Sequence, residues 1–225
     1  MAARIPLALL IAACLVASAK AQTQLPAALS EAVAATQTAR ASYAFDLELV
    51  SAGQTLSAHF DPHLEPRLRL ISPARTELNN DLRDTFDALA GRLEGPTWCA
   101  GPSMTHITGV RLLREDATSA VYSFQPTRES VTSEQTRQIV DHLRGEFTLL
   151  KETGDISSIR IFSPQAFSQM LGTSVELWSN ITTCAVAPNG RRYASEVESN
   201  VRWSLFGRAG SSHVVRRTDH LRPAS

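Results

Sequence analysis

Hydrophobic positions along this chain change period several times, and each change marks an element. Leu25, Leu29, Ala32 and Val33 fall on one face of a segment free of glycine and internal proline up to Arg40, which predicts an amphipathic helix over 26–40. The period then drops to two. Tyr43, Phe45, Leu47 and Leu49 alternate with Ala44, Asp46 and Glu48, the pattern of a half-buried strand over 42–50. Ala52-Gly53 turns the chain, and Leu56, Ala58 and Phe60 then alternate with Thr55, Ser57 and His59 to complete a hairpin. Leu68 and Leu70, set against Arg67 and Arg69, predict a third strand ending at Pro73.

A helical period returns over 76–93, where Leu78, Leu82, Phe86, Leu89 and Leu93 recur at three- and four-residue spacing. The stretch 95–102 reads as a loop holding Trp98 and Cys99. Strands are predicted near 106–114 and 118–125, a short helix from Ser133 to about Leu143, and strands near 145–152 and 156–163 around Thr153-Gly154-Asp155. Pro164 suits a first helical turn, and with Phe167, Met170 and Leu171 it predicts a short helix over 164–171. Two or three strands close the chain. The clearest is 191–206, where Tyr193, Val197, Val201, Trp203 and Leu205 oppose Arg192, Glu196, Glu198, Asn200 and Arg202. With no linker, repeat or low-complexity block, 22–225 reads as one domain. Its expected class is mainly β with short helices (α+β): a curled antiparallel sheet with helices over its concave apolar face.

The first residues follow another rule. One charge in Met1–Arg4 precedes a run, 5–19, that is apolar except for Ser18 and ends in Ala19-Lys20-Ala21, a small-x-small cleavage pattern. A membrane span needs roughly 20 apolar residues, more than this run supplies. Residues 1–21 therefore read as a cleavable export signal. Ile11-Ala12-Ala13-Cys14 offers the alternative of a lipoprotein box. The mature chain is expected to begin at Gln22 without lipid. Its intact mass checks this, and a diacylated species beginning at Cys14 would contradict it.

The whole chain carries 22 basic and 22 acidic residues, and the signal removes Arg4 and Lys20, leaving a mature net charge of −2. Without a basic stripe, nucleic acid is not an expected partner, nor is a polybasic membrane anchor. The basic residues are almost all arginine, and the chain is rich in alanine. That composition fits a GC-rich bacterial genome, and the compartment is then the periplasm. Two cysteines follow the signal, Cys99 and Cys184, and in an oxidising compartment such a pair is expected to bridge. They lack the CxxC spacing of a zinc or redox site.

Candidate chemistry is sparse. The nucleophile-elbow pattern GxSxG is absent, and Gly207-Arg208-Ala209-Gly210 lacks the lysine and spacing of a P-loop. His59-Phe60-Asp61-Pro62-His63 holds metal-ligand residue types, but alternation places His59 on a solvent face and Pro62 in the following turn. The carboxylate pairs Asp81 with Asp84 and Glu196 with Glu198 are unspecific, and the second, sharing one strand face, reads as solvated. No catalytic residue, metal or cofactor is assigned. The aromatics Phe45, Phe60, Phe147, Phe167 and Trp203 either line a ligand cavity or form ordinary core.

The order of elements resembles the periplasmic outer-membrane lipoprotein carrier superfamily, LolA-like and LolB-like. Three stretches carry the resemblance: Ser42-Tyr43-Ala44-Phe45-Asp46-Leu47-Glu48-Leu49, Phe147-Thr148-Leu149-Leu150-Lys151-Glu152-Thr153-Gly154, and Ile159-Arg160-Ile161-Phe162-Ser163-Pro164-Gln165-Ala166-Phe167-Ser168. At the level of pattern it covers about 26–217. It implies an unclosed β-barrel with helices as a lid over an apolar cavity for lipid acyl chains. The family's lid-locking arginine matches no single arginine here, so no functional residue is carried over. On this reading Phe45, Leu47, Phe60, Leu149, Ile161 and Trp203 point to one side, with Phe167 and Met170 approaching from a helix. The expected function is a monomeric, non-enzymatic carrier of a lipid, lipoprotein acyl chain or other apolar ligand, with envelope lipoproteins as further candidate partners. The rivals are an envelope interaction protein with a filled core and, after it, an envelope hydrolase.

Overall fold

The computed structural model describes residues 25–38, 42–170 and 172–224. The expected export signal, 1–21, and Cys14 lie outside them. Helix α1 (Ala27–Thr38) leads into a hairpin, β1 (Tyr43–Ser51) and β2 (Gln54–Phe60), and then β3 (Leu68–Ser72). The hairpin turns through Ala52 and Gly53, both at positive φ (49° and 76°). That is the primed geometry whose twist matches the flanking strands, and glycine adopts it without a Cβ penalty. Helix α2 (Asn80–Ala90) follows a single 3-10 turn, Arg75–Glu77. The helix predicted from 76 thus starts four residues later, where Asn79 caps it by accepting a hydrogen bond from the Leu82 N–H at 2.8 Å.

Next come β4 (Thr108–Glu115), β5 (Ser119–Gln125), the short α3 (Glu134–Ile139), β6 (Arg144–Leu150) and β7 (Ile156–Phe162). Residues 164–171 correct the sequence reading. Phe167–Met170 is a strand, β8, paired with the start of β9 (Thr173–Val186), with Phe167 opposite Val175. One or two helical turns gain little alone, whereas pairing with β9 satisfies the backbone and buries Phe167. Long strands β10 (Arg192–Leu205) and β11 (Arg208–Pro223) complete the chain.

All strands join one antiparallel sheet that does not close, in the order β3-β2-β1-β11-β10-β9-β7-β6-β5-β4, with β8 beside β9. The expected fold class, mainly β with short helices on an unclosed curled sheet, is the one observed. Directly opposed residues share a face, so the register traces a row across the sheet. Leu49 faces Arg216, Arg216 faces Val197, Val197 faces Thr182, Thr182 faces Ile159, Ile159 faces Phe147 and Phe147 faces Tyr122. Phe45, Leu47, Phe60, Leu149, Ile161 and Trp203 stand at same-face positions relative to this row. Tyr193 departs from it: the register shifts between Ala194 and Glu196, and Ala194 stands opposite Cys184.

Three helices cover three parts of that face. Leu29 and Val33 of α1 pack with Phe124, Phe147, Leu149 and Ile156. Leu82 and Phe86 of α2 pack with Phe45, Leu47, Leu56 and Phe60. Ile139 of α3 packs with Leu143, Phe167 and Val175. The first cluster also holds Cys99 and Cys184, joined as expected in a disulfide. Gly145 is fixed by its neighbours, since a Cβ there would fall 2.1 Å from the Phe124 ring. Gly145→Ala is expected to destabilise by about 1–3 kcal/mol through overpacking, read from the urea midpoint. An unchanged midpoint would show that Phe124 moves aside freely.

Candidate functional site

Of the eight residues expected to line one cavity, six lie in or against the three clusters. Phe45, Leu47 and Phe60 are fully packed under α2, and Phe45 stacks on Phe60 with ring centroids 4.8 Å apart. Leu149 is buried under α1. Phe167 is buried near α3, where the His142 ring stacks on it at 4.3 Å. It approaches from strand β8, as does the backbone of Met170, and not from a helix. Ile161 and Trp203 are half-buried.

Between the clusters, the three long strands β9, β10 and β11 present a strip of half-buried side chains on the same face. Val197, Val201, Val214 and Trp178 sit at the cluster edges, and Trp203 lies over Gly210, where a Cβ would meet its indole at 2.6 Å. The polar members are Thr182, Asn180, Ser199 and Arg216, with Asn180 Nδ2 donating to Ser199 Oγ at 2.7 Å. The strip is therefore mixed in character: β10, its central strand, carries Val197, Val201 and Trp203 beside Ser199, while Arg216 on β11 and Thr182 and Asn180 on β9 flank them. Simple alternation finds such a strip poorly in β11, because Val214-Val215-Arg216-Arg217 gives each face one valine and one arginine.

Two clefts lie elsewhere, and none of the eight residues lines them. One of about 410 Å³ is walled by 125–129, Val140, Asp141 and Arg144. The other, about 340 Å³, lies between α1 and 151–154, beside Arg191. There Arg191 Nη2 donates to Asp155 Oδ1 at 2.6 Å and to the Ala32 carbonyl of α1 at 2.7 Å. Burial pushes the Asp155 carboxyl above its ordinary pKa, against the opposing pull of Arg191 and Arg192. Sequence reading placed Asp155 in a polar turn and missed this clamp, whose partners lie 36 residues apart.

On the opposite face of the sheet, His59 Nδ1 lies 2.7 Å from Asp46 Oδ1 and His220 Nδ1 lies 2.9 Å from Asp46 Oδ2. Burial raises the Asp46 pKa, but the two histidine hydrogen bonds outweigh it and hold the carboxyl below its usual value. His59 is thus engaged with Asp46, while Asp61 accepts from the His63 backbone N–H. Among the described residues, no three His, Cys, Asp or Glu side chains are grouped to hold a metal.

No protein-family model matches the chain, and no curated protein matches it. Among solved structures, it is similar to a DUF1329 family protein from Desulfovibrio piger, at 10% identity and a TM-score of 0.36, covering 88% of this chain and 92% of that one. It is also similar to MucB in complex with MucA(peri), at 11% identity and a TM-score of 0.24, covering 88% and 98%. The MucA/MucB complex of Pseudomonas aeruginosa gives 8% identity and a TM-score of 0.22 over the same shares. Likeness at these TM-scores carries no inference about ligand or partner.

Proposed function

We propose that this chain is an exported, non-enzymatic binding protein of the bacterial envelope that takes a lipid or similar elongated molecule on the strip across β9, β10 and β11. The observation that carries the reading is the half-buried state of Trp178, Val197, Val201, Trp203 and Val214, on the same sheet face whose flanks are packed under helices. Apolar side chains left partly open on such a face gain on the order of 25 cal/mol per Å² when a ligand covers them. The carrier resemblance and the disulfide of an oxidising compartment support the same reading.

The packed state of Phe45, Leu47, Phe60 and Leu149 favours the rival, an interaction protein with a filled core. Titration with the fluorescent fatty acid cis-parinarate separates the two. Two of the three tryptophans, Trp178 and Trp203, lie on the strip. Binding there should produce saturable energy transfer that falls in a Trp178→Phe, Trp203→Phe variant, while the probe's own fluorescence still reports uptake. Absence of any saturable signal would favour the interaction protein.

A further inference from the structure

Two consecutive arginines of β11 are treated in opposite ways. Arg217, on the outer face, is held between two carboxylates: Nη1 lies 2.6 Å from Glu48 Oε1 and Nε lies 2.8 Å from Glu196 Oε2. Arg216 points to the apolar face. It stands opposite Leu49 on β1 and opposite Val197 on β10, and its same-face neighbours along β11 are Val214 and Thr218. No carboxylate occupies a same-face position on the flanking strands, because Glu48, Glu196 and Glu198 all alternate outward. Among the described residues, Arg216 makes no ion pair. An arginine so placed is costly to keep, and an apolar residue would serve packing better.

We propose that Arg216 is the anion anchor of the strip, so that the ligand is an amphiphile whose acidic head pairs with this guanidinium while its chain runs over Val197, Val201 and Trp203. This rests on the binding function proposed above and specifies the ligand's chemistry. Three features fit an anionic head at this position. The guanidinium fork matches carboxylate or phosphate oxygens in bidentate fashion. The side chain is half-buried beside Leu49, Val197 and Val214, and burial depresses its pKa, so an incoming anion meets a charge only partly screened by water. Ser199, diagonal to Arg216 across the β10–β11 pair, accepts from Asn180 and keeps its hydroxyl proton for a head-group oxygen.

The test compares ligands sharing one C18 chain: oleate, oleoyl lysophosphatidate and oleyl alcohol, each titrated into the wild-type protein, Arg216→Gln and Arg216→Lys. A charge-assisted hydrogen bond is worth enough to give the wild type at least about a tenfold preference for an acid over the alcohol. Arg216→Gln should lose that preference, and Arg216→Lys should retain part of it. Whether oleate or lysophosphatidate binds more tightly tells a carboxylate head from a phosphate head. Equal wild-type binding of alcohol and acids would overturn the anchor and leave the binding function standing. So would an acid preference that survives in Arg216→Gln. Failure of all three ligands to bind would overturn both. The wild-type comparison stands even if the glutamine variant fails to fold.

Discussion

Replacing Arg191 by glutamine is expected to cost about 3–5 kcal/mol of folding stability at neutral pH, since it leaves a buried carboxylate without its partner. Asp155 is only 3% exposed, and Arg191 ties it to the carbonyl of Ala32, so the loss should also loosen α1 from the sheet. The pH dependence follows from the raised pKa of Asp155. A carboxyl whose folded pKa lies above its unfolded value stabilises the fold fully below the unfolded pKa. That contribution is lost as pH rises through the folded pKa. Removing Arg191 raises the folded pKa further, so the variant's deficit should be greatest at neutral pH and shrink in acid. Urea denaturation at pH 7 and near pH 4 measures both effects, and a deficit that is small and independent of pH would contradict the clamp. The Arg191→Gln, Asp155→Asn pair should recover part of the loss, because no charge then remains buried.

Cys99→Ser should lower stability by about 2–5 kcal/mol. The bridge closes a loop with a sequence separation of 85, and the chain-entropy model assigns such a loop roughly 4–5 kcal/mol. Its position adds to this. The bridge fastens the 95–102 loop to β9, and the same loop meets β10, where Cys99 N–H donates to the Arg192 carbonyl at 3.1 Å and Trp98 pairs with Tyr193. Denaturation with and without reductant gives the magnitude. Two thiols that both react with a maleimide in the native, unreduced protein would show that no bridge forms.

What the sequence discloses here depends on how strictly each segment alternates. Phe45, Leu47 and Leu49 against Asp46 and Glu48 leave one way to bury β1, and its pairing with β2 follows from the turn at Ala52-Gly53. The spacing of Phe167, Met170 and Leu171 reads as a helical face over 164–171, but Phe167–Met170 is a strand. Pairing with β9, a contact no local pattern encodes, decided it. Phe45, Leu47, Phe60, Leu149, Ile161 and Trp203 share a face but not a neighbourhood. Period two assigns a side of the sheet, whereas the covering by α1, α2 and α3 is a tertiary outcome. Arg216 and the Arg191–Asp155 pair escaped for a related reason: a charge reads as solvent-facing until register or packing shows otherwise.

The central claim is that a ligand lies on the strip formed by β9, β10 and β11. Photo-crosslinking with a diazirine-labelled fatty acid, followed by peptide mapping of the labelled protein, tests it most directly. Labelling should concentrate in 173–186, 192–205 and 208–223, around Trp178, Val197, Val201, Trp203 and Val214, and should be competed by unlabelled oleate. Labelling confined to the cleft beside Arg191, or label spread over the surface and indifferent to competitor, would contradict it.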